Sequence, residues 1–354
     1  MAKSKLTLIV DGNWLLMSRL SVISGKYTTD EEICGQLKLM LVKSTNIVLH
    51  TFRDIDNIIF VADCGSWRSK LEIPACLHHE TEGRLSEYKG NRQKSAEINW
   101  DMVCGAMDDY MAALQTAGIT TCREKDVEGD DWCCWWSKRL NAEDTSCIIW
   151  TQDKDLQQLV NINPDKCFTV WWNRLSGLVC PEYDESQMDF LFNMKFSQNE
   201  TLFKNVCRTA GRVTSIRPED IVTEKIFKGD KSDNIIPLAL RTAKSGSPDK
   251  KFKIASKDVP YGIDLDSDDA IRAYFTGLFG QKSYKGRVTE TVDEAMEHFR
   301  YNRNLVRLTR TEYPDYIMET FSRYGSCGMS KDLTQVEAGL QAQANGLGAL
   351  LDTI

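Results

Sequence analysis

The chain has 354 residues, of which 42% are hydrophobic and 27% charged, a composition typical of one large globular domain or two modest ones. No run of about 18 apolar residues occurs, and only about five apolar residues precede Asp11. We therefore expect no transmembrane helix, no signal peptide, no membrane partner and a cytoplasmic location. The net charge of −7 would by itself argue against a nucleic-acid partner.

Short apolar strands alternate with amphipathic helices along the first half of the chain. Strands are predicted at Leu6–Val10, Ile58–Ala62 and Cys147–Trp150, and helices at residues 31–52, 97–117 and 131–140. This alternation predicts an α/β fold with a mainly parallel central sheet flanked by helices.

The pattern changes near residue 185. A hairpin is predicted over residues 168–179, and later helices are predicted near residues 217–228, 267–279, 292–300 and 313–324. Residues 241–258 form a loop rich in Ser, Gly and Lys, and a small, polar tail follows Ser326. We therefore expect a division near residue 185 into an α/β domain and a smaller helical domain that ends near residue 325.

The stretch from Val127 to Asp131 carries three carboxylates in four positions. Such neighbours repel one another, and a bound divalent cation relieves that repulsion. An acidic first turn of a helix is the alternative explanation. The next two turns contain Trp132, Trp135 and Trp136 at helical spacing. This spacing predicts that the tryptophans pack in the core and do not form a stacking surface.

Other carboxylates follow the predicted strands. In a parallel sheet, ligands bind beyond the carboxyl ends of the strands, where Asp11, Asp63 and Asp153 stand. The full candidate set of metal ligands is Asp11, Asp63, Glu128, Asp130, Asp131, Asp153, Asp155, Asp230 and Asp233. Oxygen ligands suit Mg²⁺ or Mn²⁺, and two such ions about 4 Å apart can promote phosphodiester hydrolysis. A structural calcium site is the alternative, although its ligands usually come from one contiguous loop.

The charge balance is compatible with a polyanionic substrate. Removal of the nine candidate ligands from the 51 acidic residues leaves 42, against 44 Lys and Arg. The rest of the chain thus carries a net charge of about +2, and two divalent ions would add four positive charges at the site. Local basic segments therefore matter more than the total charge.

Six motifs in this order resemble the structure-specific 5′-nuclease (flap endonuclease) family over most of residues 5–325. They are Leu8–Asn13, Phe60–Asp63 with Trp67 and Arg68, Glu87–Arg92, Glu128–Asp131, Asp153–Leu159 and Gly229–Asn234. Within this family the chain is most similar to the ribonuclease H branch of T-even bacteriophages. That similarity extends to Tyr301–Leu308 followed by Tyr313 and Pro314.

The resemblance implies a PIN-like catalytic domain over residues 1–185, with a helical arch near residues 78–100. It also implies a helical C-terminal DNA-binding domain over 186–325 and a tail over 326–354. The implied activity is Mg²⁺-dependent 5′-3′ exonuclease, flap endonuclease or ribonuclease H cleavage that removes RNA primers or 5′ flaps in phage DNA replication. A flap or gap endonuclease of repair or recombination, and an inactive nucleic-acid-binding scaffold, are the alternatives.

The resemblance also assigns roles to individual residues. Asp11, Asp63, Glu128 and Asp130 would bind the first ion, and Asp131, Asp153, Asp155, Asp230 and Asp233 the second. Lys89 and Arg92 would contact the scissile phosphate as an electrostatic clamp, with a solvated basic face as the alternative. Tyr88 is expected either to stack on a base or to pack in the core.

One segment departs from the family pattern. Residues 235–238 lack the glycines of the helix-hairpin-helix that usually binds the duplex backbone, and residues 241–258 contain six basic and two acidic residues instead. We expect this basic loop to bind DNA or RNA–DNA duplexes with 5′ ends or flaps. The complete predicted set of nucleic-acid contacts is Arg68, Tyr88, Lys89, Arg92, Arg241, Lys244, Lys250, Lys251 and Lys253. We expect a monomer, and the tail leaves open a sliding clamp, a single-strand-binding protein or no partner.

Overall fold

The computed structural model describes residues 5–27, 29–52, 54–77, 88–90, 98–163, 166–182, 198–244, 250–309, 312–324 and 333–351. The strands are β1 (Leu6–Asp11), β2 (Asn57–Val61), β3 (Thr120–Cys122), β4 (Ser146–Trp150), β5 (Asn161–Asn163), β6 (Cys167–Asn173), β7 (Gly177–Pro181), β8 (Val213–Ile216), β9 (Arg241–Thr242) and β10 (Lys251–Phe252). The α-helices are α1 (Gly12–Ile23), α2 (Asp30–Thr51), α3 (Trp100–Ala117), α4 (Gly129–Ala142), α5 (Gln198–Ala210), α6 (Pro218–Lys228), α7 (Asp268–Gly280), α8 (Val292–Val306), α9 (Asp315–Arg323) and α10 (Leu333–Leu351).

These elements form two compact units. Unit 1 comprises Met1–Gly65, Ser95–Ile216 and Tyr313–Ile354, and unit 2 comprises Ser66–Lys94 and Arg217–Glu312. The division differs from the predicted boundary near residue 185, because residues 198–216 and 313–351 lie in unit 1 and residues 66–77 lie in unit 2. No helix among the described residues is long and apolar enough to cross a membrane.

Unit 1 contains a mixed, mostly parallel sheet in the order β3-β2-β1-β4-β6-β7-β8, with β5 paired to β6. The pairs β6–β7 and β5–β6 are antiparallel, and the other pairs are parallel. Every residue of β1 is buried, as expected for a central strand covered by helices on both faces. The predicted α/β fold with a mainly parallel sheet is confirmed.

Local signals define the ends of the long helices of unit 1. Thr29 and Glu32 form a capping box at the start of α2. Asn99 caps α3 by accepting a hydrogen bond from the Met102 backbone, and Gly118 ends that helix in the left-handed region, with φ of 96°. These helices begin and end within about three residues of their predicted bounds, as is normal for patterns of this kind.

The C-terminal segment of the chain belongs to the core of unit 1. Helix α10 packs against α2 and α3, and it buries Val336, Leu340 and Ala344. Gln341 accepts a hydrogen bond from Asn46 at 3.2 Å, and Gln343 donates one to a main-chain carbonyl of α3 at 3.0 Å. The sequence pattern had indicated only a small, polar tail with a weakly amphipathic end, because the many Ala and Gly residues of this helix obscure the spacing of Val336 and Leu340.

Unit 2 is smaller and mainly helical. Its apolar core is formed by residues of α6, α7 and α8, together with Leu77 and Tyr88. The predicted basic loop contains the two-stranded hairpin β9–β10. On the other edge of β9, Arg241 forms a bridge with Val288, and the Thr242 backbone donates to the Arg287 carbonyl at 2.9 Å. Strand β9 is therefore paired on both sides.

Removal of the Leu340 side chain tests the role of α10. We expect Leu340→Ala to lower the free energy of unfolding by about 3 kcal/mol, because it leaves a cavity in a fully buried interface. Denaturant unfolding followed by circular dichroism measures the change. Ala342→Ser, on the exposed side of α10, is the control and should stay within about 0.5 kcal/mol. Equal effects of both variants would contradict the packing role of α10.

Candidate functional site

The carboxyl ends of the central strands meet at one edge of the sheet in unit 1. In the parallel register, Asp11 pairs with Val61, and Val10 pairs with Trp150. Asp63 follows β2 by two residues and Asp153 follows β4 by three. The three predicted ligands that follow strands therefore lie at the same edge, as the sequence predicted.

Asp11 is the buried centre of this group. It caps α1, with Oδ1 accepting a hydrogen bond from the Trp14 backbone at 3.1 Å, and its Oδ2 accepts one from Thr151 Oγ1 at 2.6 Å. Burial raises the pKa of Asp11 to about 7, with the negative charges of Asp63 and Asp153 acting in the same direction and the two hydrogen bonds opposing them. This carboxylate is therefore costly to ionise unless a cation compensates it.

Asp63 is held from three sides. Its backbone amide donates to Asn13 Oδ1 at 2.9 Å, its Oδ1 accepts from the Gly129 amide at 2.5 Å, and its carbonyl accepts from Arg123 Nε at 3.2 Å. A Cβ atom at Gly129 would lie 3.0 Å from Asp63 Oδ1 and 3.9 Å from Asp11 Oδ1. The missing side chain of Gly129 thus lets the start of α4 approach both carboxylates.

The first turn of α4 brings the acidic stretch of the sequence to this edge. Glu128 precedes the helix as its N-cap residue without forming a side-chain cap hydrogen bond. Glu128 and Asp131 are buried, and Asp130 is half-buried. Burial raises the pKa of the Cys133 thiol well above its usual range, and the charges of Asp11 and Asp130 raise it further. The start of α4 therefore lies against the carboxylates of the sheet edge, as the hydrogen bond from the Gly129 amide to Asp63 shows.

The segment after β4 orients two more carboxylates. The Asp153 backbone donates to Thr151 Oγ1 at 2.9 Å, and the Asp155 backbone donates to Asp153 Oδ1 at 2.9 Å. The buried indole of Trp171 donates to the Asp153 carbonyl at 2.9 Å. Thr151 therefore links Asp11 to the segment that carries Asp153 and Asp155.

Asp230 and Asp233 lie together in unit 2. Lys225 Nζ contacts Asp230 Oδ2 at 2.8 Å and Asp233 Oδ2 at 3.1 Å. Partial burial raises the pKa of Asp230, but hydrogen bonds from Lys225 and Ser232 outweigh it and lower the pKa to about 2. Asp230 is therefore ionised at neutral pH, and both carboxylates already face the positive charge of Lys225. The sequence pattern did not identify Lys225, although it precedes Asp230 by five residues.

Of the two residues predicted to contact the scissile phosphate, the structure describes Lys89. Lys89 has a left-handed backbone with φ of 57°, and its amide donates to the Asp233 carbonyl at 2.9 Å. Its Nζ lies 4.9 Å from the centre of the Tyr88 ring. Tyr88 is buried in the core of unit 2, which favours the core alternative over base stacking. Arg92 lies outside the described residues.

Arg68 is buried in the structure. Its side chain is 1% exposed, and its guanidinium carbon lies 4.8 Å from the centre of the Trp67 ring. A buried guanidinium does not reach a nucleic-acid backbone, so its placement argues against the predicted direct contact. A motif does not distinguish a residue that contacts nucleic acid from a residue that packs inside the protein.

The basic segment of unit 2 presents several exposed lysines. Lys244, Lys250, Lys251 and Lys253 are exposed. Arg241 differs, because it packs 4.6 Å over the Tyr284 ring and its Nη1 donates to the Ser283 carbonyl at 3.4 Å. Sequence reasoning missed the exposed Lys285, which precedes the segment paired to β9. The short spacing of Lys282, Lys285 and Arg287 was the available signal.

The donor set of these residues suits hard divalent cations. All nine predicted ligands supply carboxylate oxygens. Such an all-oxygen ligand set suits Mg²⁺ and Mn²⁺ better than it suits zinc. The buried Asp11, with two carboxylates raising its pKa, is the kind of site that a bound cation stabilises. The residues present therefore fit divalent metal ions.

The predicted tryptophan packing is also observed. Trp132 and Trp136 are buried, and Trp135 is half-buried. The rings of Trp132 and Trp135 contact Phe321 of α9, with centroid distances of 4.8 Å and 5.4 Å. This packing confirms that the tryptophans of α4 are core residues.

Comparisons with known proteins give the same fold. The T5 D15 protein co-crystallized with metal ions matches over 97% of this chain and 99% of that chain, with a TM-score of 0.52 and 17% identity. A bacteriophage T5 D15 flap endonuclease, in a pseudo-enzyme–product complex with DNA and metal ions, matches over 96% of this chain and 100% of that chain, with a TM-score of 0.50 and 18% identity. At these identities the similarity shows the fold alone.

Sequence comparison identifies the family. A 5′-3′ exonuclease of Buchnera aphidicola (subsp. Acyrthosiphon pisum, strain APS) is 24% identical over 163 residues, which cover 46% of this chain and 51% of the relative. The chain thus spans about half the length of this curated relative. The family model described as the 5′-3′ exonuclease N-terminal resolvase-like domain matches residues 7–187, just over half of the chain. The chain therefore belongs to the 5′-3′ exonuclease family.

Proposed function

We propose that this protein is a metal-dependent 5′-nuclease that hydrolyses phosphodiesters of DNA or RNA–DNA duplexes at 5′ ends or flaps. The observation that supports it most directly is the meeting of Asp11, Asp63, Asp153 and the start of α4 at one sheet edge. A chain of this family that gathers so many carboxylates in one place is suited to phosphoryl transfer. The cellular role that we propose is removal of RNA primers or 5′ flaps during phage DNA replication.

The proposed metal ligands are the nine carboxylates of the two units. We assign Asp11, Asp63, Glu128 and Asp130 to one ion, and Asp131, Asp153, Asp155, Asp230 and Asp233 to the other. Two bound Mg²⁺ or Mn²⁺ ions would supply Lewis-acid chemistry that acidifies a water molecule and offsets charge on the leaving oxygen.

The chain's own residues orient this constellation. The Thr151 hydroxyl donates to one oxygen of Asp11 and accepts from the backbone amide of Asp153, so one side chain holds both the Asp11 carboxylate and the Asp153 backbone. The amide of Gly129 holds Asp63 in the same way. Such support reduces the reorganisation that ligand carboxylates would otherwise undergo when a cation binds.

The proposed substrate contacts are basic. Lys89 and Arg92 would bind the scissile phosphate, and the exposed lysines of residues 244–253 would bind the duplex backbone. The backbone amide of Lys89 donates a hydrogen bond to the Asp233 carbonyl, so the two residues are neighbours in unit 2. A Lys side chain placed beside a carboxylate pair can neutralise a phosphate group as it approaches those carboxylates.

Cleavage assays test the enzyme class. We expect the protein to cut a 5′-labelled flap duplex and an RNA-primed duplex with Mg²⁺ and to leave both intact in EDTA. Asp155→Ala should lower the rate by more than about 100-fold, because it removes a proposed ligand. Product lengths on denaturing gels measure both effects.

The outcomes of this assay separate the alternatives. Binding without Mg²⁺-dependent cleavage would overturn the nuclease proposal in favour of an inactive scaffold. Cleavage of flaps with intact RNA primers would overturn primer removal and favour a flap or gap endonuclease of repair or recombination.

Carboxylate repulsion gives a test that needs no substrate. We expect Asp63→Asn to raise the free energy of unfolding in EDTA by about 1 kcal/mol, the scale of one pKa unit, because it removes a charge that repels Asp11. The Asn oxygen can still accept the Gly129 amide. Mn²⁺ should stabilise the wild type more than this variant.

Denaturant unfolding with EDTA or Mn²⁺ measures these changes. The control is Asp144→Asn, an exposed aspartate paired with Lys166, which should change the stability by less than about 0.5 kcal/mol. A lower stability of Asp63→Asn in EDTA, together with an undiminished response to Mn²⁺, would contradict the metal assignment of Asp63.

The basic segment is tested by salt dependence. We expect the change of Lys250, Lys251 and Lys253 to Gln to weaken duplex binding. The slope of log affinity against log salt should fall by about 0.9 for each lost phosphate contact. Fluorescence anisotropy in EDTA measures binding without cleavage.

The matched control removes the same number of positive charges elsewhere in unit 2. Arg272, Arg300 and Arg307 each pair with an aspartate. Their change to Gln should therefore leave the salt slope nearly unchanged. Equal slopes for the wild type and the triple-lysine variant would refute the assigned role of the basic segment.

A further inference from the structure

The turn between α6 and residue 238 closes tightly on its own backbone. The Asp230 amide donates to the Ile235 carbonyl at 2.9 Å, and the Ile235 amide donates to the Asp230 carbonyl at 2.8 Å. Gly229 has φ of 66°, and a Cβ atom there would lie 2.4 Å from the Ile235 carbonyl oxygen and 2.7 Å from Pro237 N. The position of Asp230 and Asp233 is therefore tied to the backbone of residues 235–237.

One face of α8 holds that backbone. His298 Nε2 lies 3.1 Å from the Ile236 carbonyl oxygen, and Asn302 Nδ2 donates to the same oxygen at 2.8 Å. A carbonyl oxygen only accepts, so Nε2 carries the proton of this hydrogen bond. The two side chains are four residues apart, which places them on one face of the helix, and both are fully buried.

The same residues reach both sides of the turn. Asn302 Nδ2 also donates to the Ile226 carbonyl at 3.0 Å, next to Lys225 in α6. His298 Nδ1 is hydrogen-bonded to Glu290 Oε1. Glu290 Oε2 accepts from the Ala239 amide at 3.0 Å. The hydrogen bonds from α8 thus fix the turn before and after the aspartate pair.

The full burial of His298 and Asn302 indicates that their polar groups have a specific role. Two fully buried polar side chains in an apolar core need hydrogen-bond partners, and an apolar residue would fill the space more simply. Here the partners of His298 and Asn302 include main-chain carbonyls of the turn and of α6. Their hydrogen bonds therefore specify where the turn lies, in addition to filling the core.

We propose that His298 and Asn302 are positioning residues that hold Asp230 and Asp233 in place through the Ile236 carbonyl. This inference rests on the proposed function, in which the aspartate pair binds a divalent ion. The side chains of α8 do not contact the ion in this scheme. They support the turn that presents its ligands, as outer hydrogen-bond partners do at other metal sites.

Two substitutions at position 298 separate positioning from general core packing. In His298→Gln the amide nitrogen can occupy the place of Nε2 and still donate to Ile236. In His298→Asn it can occupy the place of Nδ1 and donate to Glu290, but it does not reach Ile236. Both variants lose one hydrogen bond of a fully buried side chain, and Asn also leaves a space one methylene larger than Gln does.

The measurement is Mn²⁺ binding by the full-length chain without substrate, followed by electron paramagnetic resonance. We expect His298→Asn to weaken binding by about tenfold and His298→Gln by much less. Amide hydrogen exchange of Asp230 and Ile235 should also be faster in His298→Asn, because the turn opens more often. Asn302→Ser removes the other donor and should weaken Mn²⁺ binding in the same way, which covers the case in which His298→Asn does not fold.

Two controls make each outcome decisive. Tyr284→Phe removes a buried hydroxyl that bonds to Ala255 and Asp258, away from the turn, and should leave Mn²⁺ binding unchanged. Asp233→Asn should weaken it. Unchanged binding in Asp233→Asn would overturn both the metal role of the pair and this inference. If Asp233→Asn weakens Mn²⁺ binding but the two His298 variants change the Mn²⁺ affinity equally, only the positioning role is overturned.

Discussion

The structure of the candidate site depends on electrostatic repulsion among carboxylates at one edge of a buried parallel sheet. Strand β1 is covered on both faces, so its terminal residue, Asp11, is buried with it. Burial and the neighbouring charges together raise the pKa of Asp11 to about 7. Hydrogen bonds from Thr151 and the α1 backbone offset part of the free-energy cost of ionising Asp11 in this buried position. A divalent cation at this edge would offset much of the remainder.

The two units treat their carboxylates differently. In unit 1 Asp11 accepts hydrogen bonds from two neutral groups, the Trp14 amide and the Thr151 hydroxyl, which orient this carboxylate without cancelling its charge. In unit 2 the Lys225 ammonium contacts both Asp230 and Asp233, and the pKa of Asp230 falls to about 2. Asp11 of unit 1 is therefore held close to other negative charges, whereas the Asp230–Asp233 pair of unit 2 already faces a positive charge.

Sequence reasoning succeeded where one local pattern sets both structure and placement. The ends of β1, β2 and β4 could be predicted, because buried parallel strands are short apolar runs and their last residues share an edge. It failed where the direction and burial of a single side chain decide, which a motif does not specify. Motif matching could not show that Arg68 packs over Trp67 inside the protein, or that Lys225 reaches Asp230 and Asp233. Helix α10 was missed because its many Ala and Gly residues weaken the apolar pattern, and because the burial of Val336 and Leu340 depends on packing against α2 and α3.

Net charge is a poor guide to the partner of this chain, because its charges are segregated. Nine of the acidic residues form the candidate metal ligands, and without them the chain has slightly more basic than acidic residues. The exposed lysines near β9 and β10 lie on a segment whose strand β9 is paired on both sides. Their charge is therefore presented by a defined surface, while the carboxylates are mostly buried or half-buried. A polyanion that approaches this protein responds to that local distribution and not to the total of −7.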